Sequence, residues 1–408
     1  MTQQSEDRPL DVVVMGATGF TGRLLSEVLS QHPRARFRWG IAGRNAEKLN
    51  RLGEQLVALG RGPDRVLVAD SRDPDGLREL ASSTRSVATT VGPYSLYGDG
   101  LVEACVESGT HYADLTGEVP WVRRMIDTHH ERAAQNGARI VHCCGFDSIP
   151  SDLGTFALQE ALIDRDGRPA EEVKLFVMGA KGGVSGGTIA SLFNVLEETS
   201  SKEVRRTLAS PYSLNPEGMR SGPDRERFQI AKDPVTGWWT GPFVMEAINA
   251  RVVRRSNALL GNRYGENFRY SEVTRFSKGV LGSLRAAAFT GAFGAFLGAA
   301  AFAPTRRFMA RYVLPKPGEG PKPEAIERGF FKILLSGRRN HEEVGRVEVR
   351  GRRDPGYGAT SCMLAESALC LALDPLESQG GILTPASAMG HHLIQRLNAS
   401  DVHFKVEV

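Results

Sequence analysis

The chain has 408 residues, a formal net charge of +4 and five cysteines. A chain of this length is expected to form two domains with a substantial core, and so small a net charge does not favour a nucleic-acid partner. The cysteines form neither a pairable framework nor a metal-ligand spacing, and the first ten residues lack the apolar core of a signal peptide. These features predict a cytoplasmic protein without a bound metal.

A glycine-rich motif follows the first apolar run of the chain. The run is Val12-Val13-Val14-Met15, and the motif is Gly16-Ala17-Thr18-Gly19-Phe20-Thr21-Gly22. Glycines at this spacing allow a tight turn, a close approach of the backbone to a pyrophosphate and a helix packed on the strand. The helix N-terminus, predicted near residue 24, attracts anions. The motif predicts a dinucleotide site; a glycine-rich turn in an ordinary α/β unit is the alternative.

The residue after the second apolar stretch indicates which dinucleotide binds. NAD-binding units carry an acid here that accepts from the ribose 2′-hydroxyl, whereas this chain has Arg44 with no carboxylate beside it. Arginine pairs bidentately with a 2′-phosphate. Arg44 therefore predicts NADP(H), with a solvated arginine at the start of a helix as the alternative.

Strands and helices alternate up to about residue 150. Further strands are predicted at 65–69, 87–91, 111–115 and 139–143, with helices between them. This rhythm predicts an α/β fold, in which residues 8–150 form a Rossmann-type, doubly wound parallel sheet. Ligands bind beyond the carboxyl ends of such strands. Asp70 is expected at the adenine, or as a helix N-cap, and Gly92-Pro93 beside the ribose of the nicotinamide.

Residues 151–408 are predicted to form a second, α+β domain, whose C-terminal helices pack back on the first. A glycine-rich stretch at 182–188 precedes a predicted helix at 189–199, and a hairpin is expected at 331–335 and 344–349. Basic clusters around residues 251–255, 306–311 and 350–353 are expected to be solvated, with contact to an acidic carrier protein or to anionic lipid as the alternative.

An uncharged segment at 286–303 is at the lower limit of length for a membrane span. Its Ala- and Gly-rich composition makes insertion marginal. Three interpretations stay open: a helix that is buried or faces a partner, one that lies on a lipid surface, and a span. Arg306, Arg307 and Arg311 are placed to meet anionic headgroups.

Several separated motifs resemble the saccharopine dehydrogenase-like family, and within it the trans-acting enoyl reductases of actinobacterial lipid synthesis. The motifs lie at residues 16–22, 43–44, 91–94, 112–118, 144–152, 185–188, 254–258 and 383–390. The resemblance implies NADPH-dependent reduction of an unsaturated acyl or polyketide thioester held on an acyl carrier protein, for a synthase without its own reductase. It also implies contact with a membrane, peripherally at the plasma membrane, and leaves oligomerisation open.

Reduction of an enoyl thioester needs a proton donor for the enolate. The Tyr–Lys pair of short-chain reductases is excluded, because Pro315 lies between Tyr312 and Lys316. Tyr94 is the candidate donor, with structural stacking as the alternative.

The remaining polar candidates are expected to line the substrate cleft. Asp114, Glu118, Asp147 and Ser148 follow strands, with helix capping as the alternative for Asp147 and Ser148. Ser148, Ser185 and Thr188 are the predicted substrate contacts. Two other function classes stay open: an amino-acid dehydrogenase of the saccharopine type, and a non-catalytic NADPH-binding protein associated with lipid.

Overall fold

The structure is a computed structural model that describes residues 8–33, 36–182, 186–225, 229–312 and 320–408, without the side chains of 187–190 and 310. Ser185, one of the predicted substrate contacts, lies outside the described residues. Thr188 lies in a described helix, but its side chain is not among those described.

The first sheet is parallel throughout. Its strands among the described residues are β1 (Leu10–Met15), β2 (Trp39–Gly43), β3 (Arg65–Val68), β4 (Thr84–Thr89), β5 (His111–Ala113), β6 (Arg139–Val141) and β13 (Gly381–Leu383). They lie in the order β13-β6-β5-β4-β1-β2-β3. Apart from β13, this is the 3-2-1-4-5-6 order of the Rossmann fold. The predicted doubly wound parallel sheet is confirmed.

Helices connect these strands on both faces of the sheet. They are α1 (Phe20–Ser30), α2 (Ala46–Leu59), α3 (Pro74–Ser82), α4 (Tyr94–Tyr97), α5 (Asp99–Ser108) and α6 (Val119–Asn136). Two begin at conventional caps, because Asn45 accepts from the Lys48 N–H and Asp73 from the Asp75 N–H. Each crossover brings the chain back to the same edge of the sheet, so the loops after the strands cluster there.

The second sheet is mixed. Its described strands are β7 (Glu172–Lys181), β8 (Ala231–Lys232), β9 (Trp239–Pro242), β10 (Arg269–Phe276), β11 (Phe330–Arg339), β12 (Glu342–Gly351) and β14 (Val402–Glu407), in the order β14-β12-β11-β7-β10-β9-β8. Only β7 and β10 pair in parallel among these. The predicted hairpin is β11–β12, and the expected α+β second domain is confirmed.

One apolar core joins the two sheets. It is built around α7 (Ile149–Asp166), α14 (Thr360–Leu373) and α15 (Pro385–Asn398). α7 packs on β11 and β12, whereas α14 packs on α1, β1, β4 and β5. The C-terminal segment thus covers one face of the first sheet and adds β13 to its edge. The boundary at residue 150 stays a prediction, and the structure places residues from beyond it in the first sheet.

The arginines around residue 254 lie in α10 (Glu246–Leu259) and are buried, so the expectation of a solvated face is wrong there. Arg251 donates to the carbonyls of Leu208 and Ala247, and Arg255 to those of Leu214 and Ile382. Arg254 pairs with Asp224 at 2.7 Å. The carbonyls belong to separate parts of the chain: Leu208 and Leu214 precede α10, Ala247 is in its first turn and Ile382 is in β13. The arginines therefore hold these segments together from inside the protein and satisfy their backbone acceptors.

The uncharged segment forms most of α11 (Val280–Ala301), which is followed by α12 (Ala303–Tyr312). α11 is long and apolar enough to cross a membrane, with a mean hydropathy of 1.4 over its best window. Only Gly282, Ala286 and Ala300 are buried along it, so a helix buried in the core of this chain is excluded. Arg306 is also buried and donates to the Ala300 carbonyl, which corrects its predicted role at lipid headgroups.

Candidate active site

The glycine motif forms the turn between β1 and α1. Gly16 has φ +84°, a left-handed conformation that favours glycine. A Cβ there would lie 2.7 Å from Cγ2 of Val91, and one on Gly22 would lie 2.1 Å from the Gly16 carbonyl oxygen. The absence of a side chain at Gly16 therefore allows the turn to pack on the loop after β4. Its absence at Gly22 allows α1 to pack on the turn. The tight turn at Gly16 and the close packing of the helix at Gly22 are thus present, and the approach of the backbone to a pyrophosphate stays a prediction.

The N-terminus of α1 is open to a ligand. Gly19 is its N-cap, and no side chain caps the helix. The N–H groups of the first turn have no partner within a helix, and together with the helix dipole they attract an anion. Ala17 is buried beneath the turn, whereas Thr18, Phe20 and Thr21 are half-buried at its surface. This arrangement fits the pyrophosphate of a dinucleotide.

Arg44 follows directly on β2 at the same edge of the sheet. Its side chain is exposed, and no described carboxylate forms an ion pair with it. Thr18 of the glycine turn lies 3.9 Å from the Cβ position of Gly43, so Arg44 is next to the turn. An unpaired guanidinium here is free to pair with a 2′-phosphate. The residues present fit NADP(H).

Asp70 is half-buried just beyond β3. Its carboxylate accepts from the Arg72 N–H at 3.0 Å, and its carbonyl accepts from the Asp73 N–H. The N-cap of α3 is Asp73, so the capping alternative for Asp70 is wrong. Contact with the adenine stays a prediction for this residue.

Gly92 and Pro93 lie at the surface, but Tyr94 is buried behind them. Its hydroxyl donates to the Thr89 carbonyl at 3.2 Å and accepts from the Leu115 N–H at 3.1 Å. Its ring packs on Trp121, with 5.5 Å between centroids. Burial raises the pKa of the phenol well above its usual value. The single phenolic proton is engaged inside the protein, and this favours the structural alternative over proton donation.

Glu118 connects this region to the second domain. Its carboxylate accepts from the N–H groups of Tyr94 and Ser95 and from the Ser191 hydroxyl, at 2.8, 3.0 and 2.8 Å. Ser191 belongs to α8 (Gly186–Glu198), and Asn194 of the same helix donates to Ser95. Glu118 is 1 % exposed. Instead of lining an open cleft, it holds α8 over the end of β4.

Asp114 and His142 form a second buried pair, beyond β5 and β6. The Asp114 carboxylate accepts from the Tyr112 hydroxyl, from the N–H groups of Thr116 and Cys143, and from Nδ1 of His142 at 2.6 Å. Both side chains are almost fully buried. Sequence reasoning had no signal for His142, because a lone histidine after a strand is common. Asp114 therefore fixes the loops that follow β5 and β6 through buried hydrogen bonds.

Ser148 is fully buried, and its hydroxyl donates to Oδ1 of Asn249 at 3.1 Å. It is the N-cap residue of α7 but makes no side-chain capping bond. The Asn249 amide donates in turn to Glu272. In this structure Ser148 therefore joins α7 to α10. Its hydroxyl is not accessible for the predicted contact with substrate.

Asp147 differs from these neighbours. It is half-buried in the loop between β6 and α7, and no described residue forms a hydrogen bond or ion pair with its carboxyl. Burial raises its pKa to about 6. A carboxyl with a raised pKa is a better proton donor near pH 6 than an ordinary aspartate, so Asp147 can act as a general acid. The capping alternative does not hold for it, because Ser148 is the N-cap residue.

The described residues contain no group of three or more His, Cys, Asp or Glu side chains arranged to hold a metal ion. The cysteines are all free and buried, and burial raises the pKa of Cys143 well above its usual value.

Comparison with known proteins agrees with this geometry. Residues 12–141 match the family model of the saccharopine dehydrogenase NADP binding domain, so the first sheet carries an NADP(H) site. A Mycobacterium tuberculosis protein named as a trans-acting enoyl reductase is 41 % identical over 97 % of each chain. A trans-acting enoyl reductase of Mycobacterium bovis is 38 % identical over 97 % of each.

A solved structure shares the fold. Saccharopine dehydrogenase (L-Glu forming) of Saccharomyces cerevisiae aligns with a TM-score of 0.52 at 12 % identity, over 98 % of this chain and 99 % of that one. At this identity the likeness concerns the fold alone. Taken with the near full-length relatives, the result is that this chain belongs to the trans-acting enoyl reductases of the saccharopine dehydrogenase-like family.

Proposed function

We propose that this chain is an NADPH-dependent enoyl reductase that reduces the carbon–carbon double bond of an α,β-unsaturated acyl or polyketide thioester. The observation that carries the proposal is the similarity to named enoyl reductases along 97 % of both chains. The open α1 N-terminus and the unpaired Arg44 support it, because they suit the cofactor of such a reaction.

The cofactor, when bound, supplies a hydride to the β-carbon of the substrate. The α1 N-terminus would hold the pyrophosphate, and Arg44 would hold the 2′-phosphate. The substrate then carries an enolate, whose α-carbon needs a proton. We assign that proton to the Asp147 carboxyl, which lies at the carboxyl edge of the sheet and has no hydrogen-bond or ion-pair partner in the part of the chain that the structure describes. The Tyr94 hydroxyl, in contrast, is bonded to the backbone.

The test is NADPH oxidation by the purified chain with a panel of enoyl thioesters of different length and with amino-acid substrates. We expect oxidation with enoyl thioesters and none with amino acids. Oxidation that requires an amino acid would identify a saccharopine-type dehydrogenase instead. NADPH binding without oxidation of any substrate in the panel would favour a non-catalytic protein.

The substrate is expected to arrive on an acyl carrier protein of a partner synthase, in the cytoplasm and at the inner surface of the plasma membrane. Several side chains of α11 and α12 support membrane contact, since Val280, Leu281, Leu284 and Phe308 are more than half exposed. Arg307 and Arg311 are exposed on either side of Phe308 in the sequence of α12. Apolar side chains next to cations are typical of surfaces that lie on anionic lipid.

Flotation with vesicles tests the membrane contact. The chain is expected to bind vesicles that contain phosphatidylglycerol and not vesicles of phosphatidylcholine alone. Arg307→Gln with Arg311→Gln should weaken binding by about 30-fold, since each cation near such a surface contributes about 1 kcal/mol. Arg352→Gln, at an exposed arginine directly after β12, is a control for the loss of a surface cation away from α12. Equal binding of both variants would contradict the proposal.

A further inference from the structure

A cavity of about 480 Å³ lies at the junction of three segments of the second domain. The segments are the end of β7, the start of α13 (Pro323–Glu327) and the residue before a π-helical turn at Pro355–Ala359. Its walls are formed by Lys181, Gly182, Pro321, Lys322, Glu324, Ala325, Arg328 and Asp354. None of these residues belongs to the cofactor site described above.

Three cations line this cavity without partners. Lys181, Lys322 and Arg328 are exposed, and none forms an ion pair or side-chain hydrogen bond with a residue that the structure describes. Of the two carboxyls, Asp354 is buried and accepts from the N–H groups of Tyr357 and Gly358. Glu324 is exposed. The accessible charge is therefore positive, and it suits a phosphate group.

The cavity is next to the cofactor turn. Phe20 of that turn packs edge-on against Tyr357, with 4.8 Å between ring centroids. A Cβ on Gly320, the residue before the cavity wall, would lie 2.2 Å from the same Phe20 ring. Gly182 lies against Pro355, where a Cβ would be 2.8 Å from Cδ. A ligand that fills the cavity can thus extend to the cofactor turn.

We propose that this cavity binds the phosphate of the phosphopantetheine arm that carries the acyl thioester, whether the arm belongs to coenzyme A or to a carrier protein. This inference rests on the proposed function, since it names the group by which the thioester substrate is recognised. The arm joins a thioester at one end to a phosphate at the other through an uncharged body. Pro321, Ala325 and the aliphatic stems of the cations offer apolar walls, and the charged ends meet the phosphate.

The test uses enoyl thioesters of 4′-phosphopantetheine and of pantetheine, which lacks the phosphate. The wild-type KM is expected to be about tenfold lower for the phosphorylated thioester. Lys181→Gln, Lys322→Gln and Arg328→Gln combined should abolish that difference, with kcat and NADPH affinity unchanged. Glu324→Gln should lower the KM about twofold. Lys232→Gln, on the exposed edge strand β8, is the matched control and should change nothing.

Several results would overturn the inference: equal KM values for the two thioesters in the wild type, a triple variant that keeps the difference, or a triple variant that loses NADPH affinity. Parallel assays with enoyl-coenzyme A and with enoyl-loaded carrier protein compare the two sources of the arm. The source whose KM rises in the triple variant is the one that the cations bind. Direct calorimetry with 4′-phosphopantetheine tests the site separately, so that a wild-type chain that reduces no thioester contradicts the proposed function and not the site.

Discussion

The carboxyl edge of the first sheet has two halves that differ in what their polar groups contact. At β1 and β2, no side chain that the structure describes caps the first turn of α1 or pairs with Arg44, which is exposed. At β4, β5 and β6, the hydroxyls and carboxylates of Tyr94, Asp114, Glu118 and Ser148 are bonded inside the protein. We call these the open half and the closed half.

The two halves therefore have different roles. The open half binds a ligand, and the closed half fixes the loops around it. Backbone donors and an unpaired cation at the open half lose little when they bind anions, because nothing else competes for them. Polar groups of the closed half would have to break protein hydrogen bonds first, which costs about 1–3 kcal/mol for each group left unpaired. Asp147 is the exception within the closed half, since its carboxyl is unengaged and half-buried.

Substitution of Asp147 is expected to have the largest effect on turnover. Asp147→Asn should lower kcat by about 100- to 1,000-fold, because a positioned general acid contributes on that order. The acid form predominates below a pKa of about 6, so wild-type kcat should fall as the pH rises through 6. Steady-state assays from pH 5 to 8 measure both. A variant with wild-type kcat and the same pH profile would place the acid elsewhere.

A backbone clash is expected to disable the open half. Gly22→Ala places a methyl group 2.1 Å from the Gly16 carbonyl oxygen, so the turn must move. The displaced N–H groups lose their alignment with the pyrophosphate, and NADPH affinity should fall by up to about 100-fold, the loss expected for a charge-assisted hydrogen bond of about 1.5–3 kcal/mol. Fluorescence titration measures it. Gly53→Ala in α2, whose nearest neighbour is 3.9 Å away, is the control, and equal affinities would contradict the assigned turn.

The charge at the open half should determine which cofactor binds. Arg44→Asp is expected to weaken NADPH by about tenfold to 100-fold while NADH changes little, since a charge-assisted bond contributes about 1.5–3 kcal/mol. Titrations with both cofactors give the ratio. If both curves shift equally, the residue does not contact the 2′-phosphate.

The smallest kinetic effect is expected from the closed half. Tyr94→Phe should change kcat by less than about threefold and destabilise the fold by about 1–3 kcal/mol, because the Leu115 N–H loses its acceptor in a buried place. Thermal unfolding and kinetics on one preparation separate these effects. Loss of turnover with an unchanged melting temperature would return Tyr94 to the role of proton donor.

The open half could be predicted from the sequence because its function lies in the backbone. Glycine spacing, the alternation of strands with helices and a residue directly after a strand are local features, and the structure has all of them in the expected places. The specific assignment of Arg44 to the 2′-phosphate stays a prediction.

The closed half could not be predicted, because its contacts join residues far apart in the chain. Ser148 bonds Asn249, and Glu118 bonds Ser191, across separations that no local pattern encodes. Arg251 and Arg255 resemble a surface cluster in the sequence and are buried only because the segment around residue 210 wraps over α10. The seventh strand, β13, returns from residue 381 with no signal in the alternation of the first 150 residues.

Isotope transfer tests the central claim most directly. NADPH with deuterium at C4 of the nicotinamide, prepared with either face labelled, is incubated with the chain and an enoyl thioester, and the product is analysed by mass spectrometry and NMR. We expect one of the two labelled cofactors to transfer one deuterium to the β-carbon, and the α-carbon to receive a proton from solvent. Reduced product without deuterium, or deuterium at the α-carbon, would contradict it.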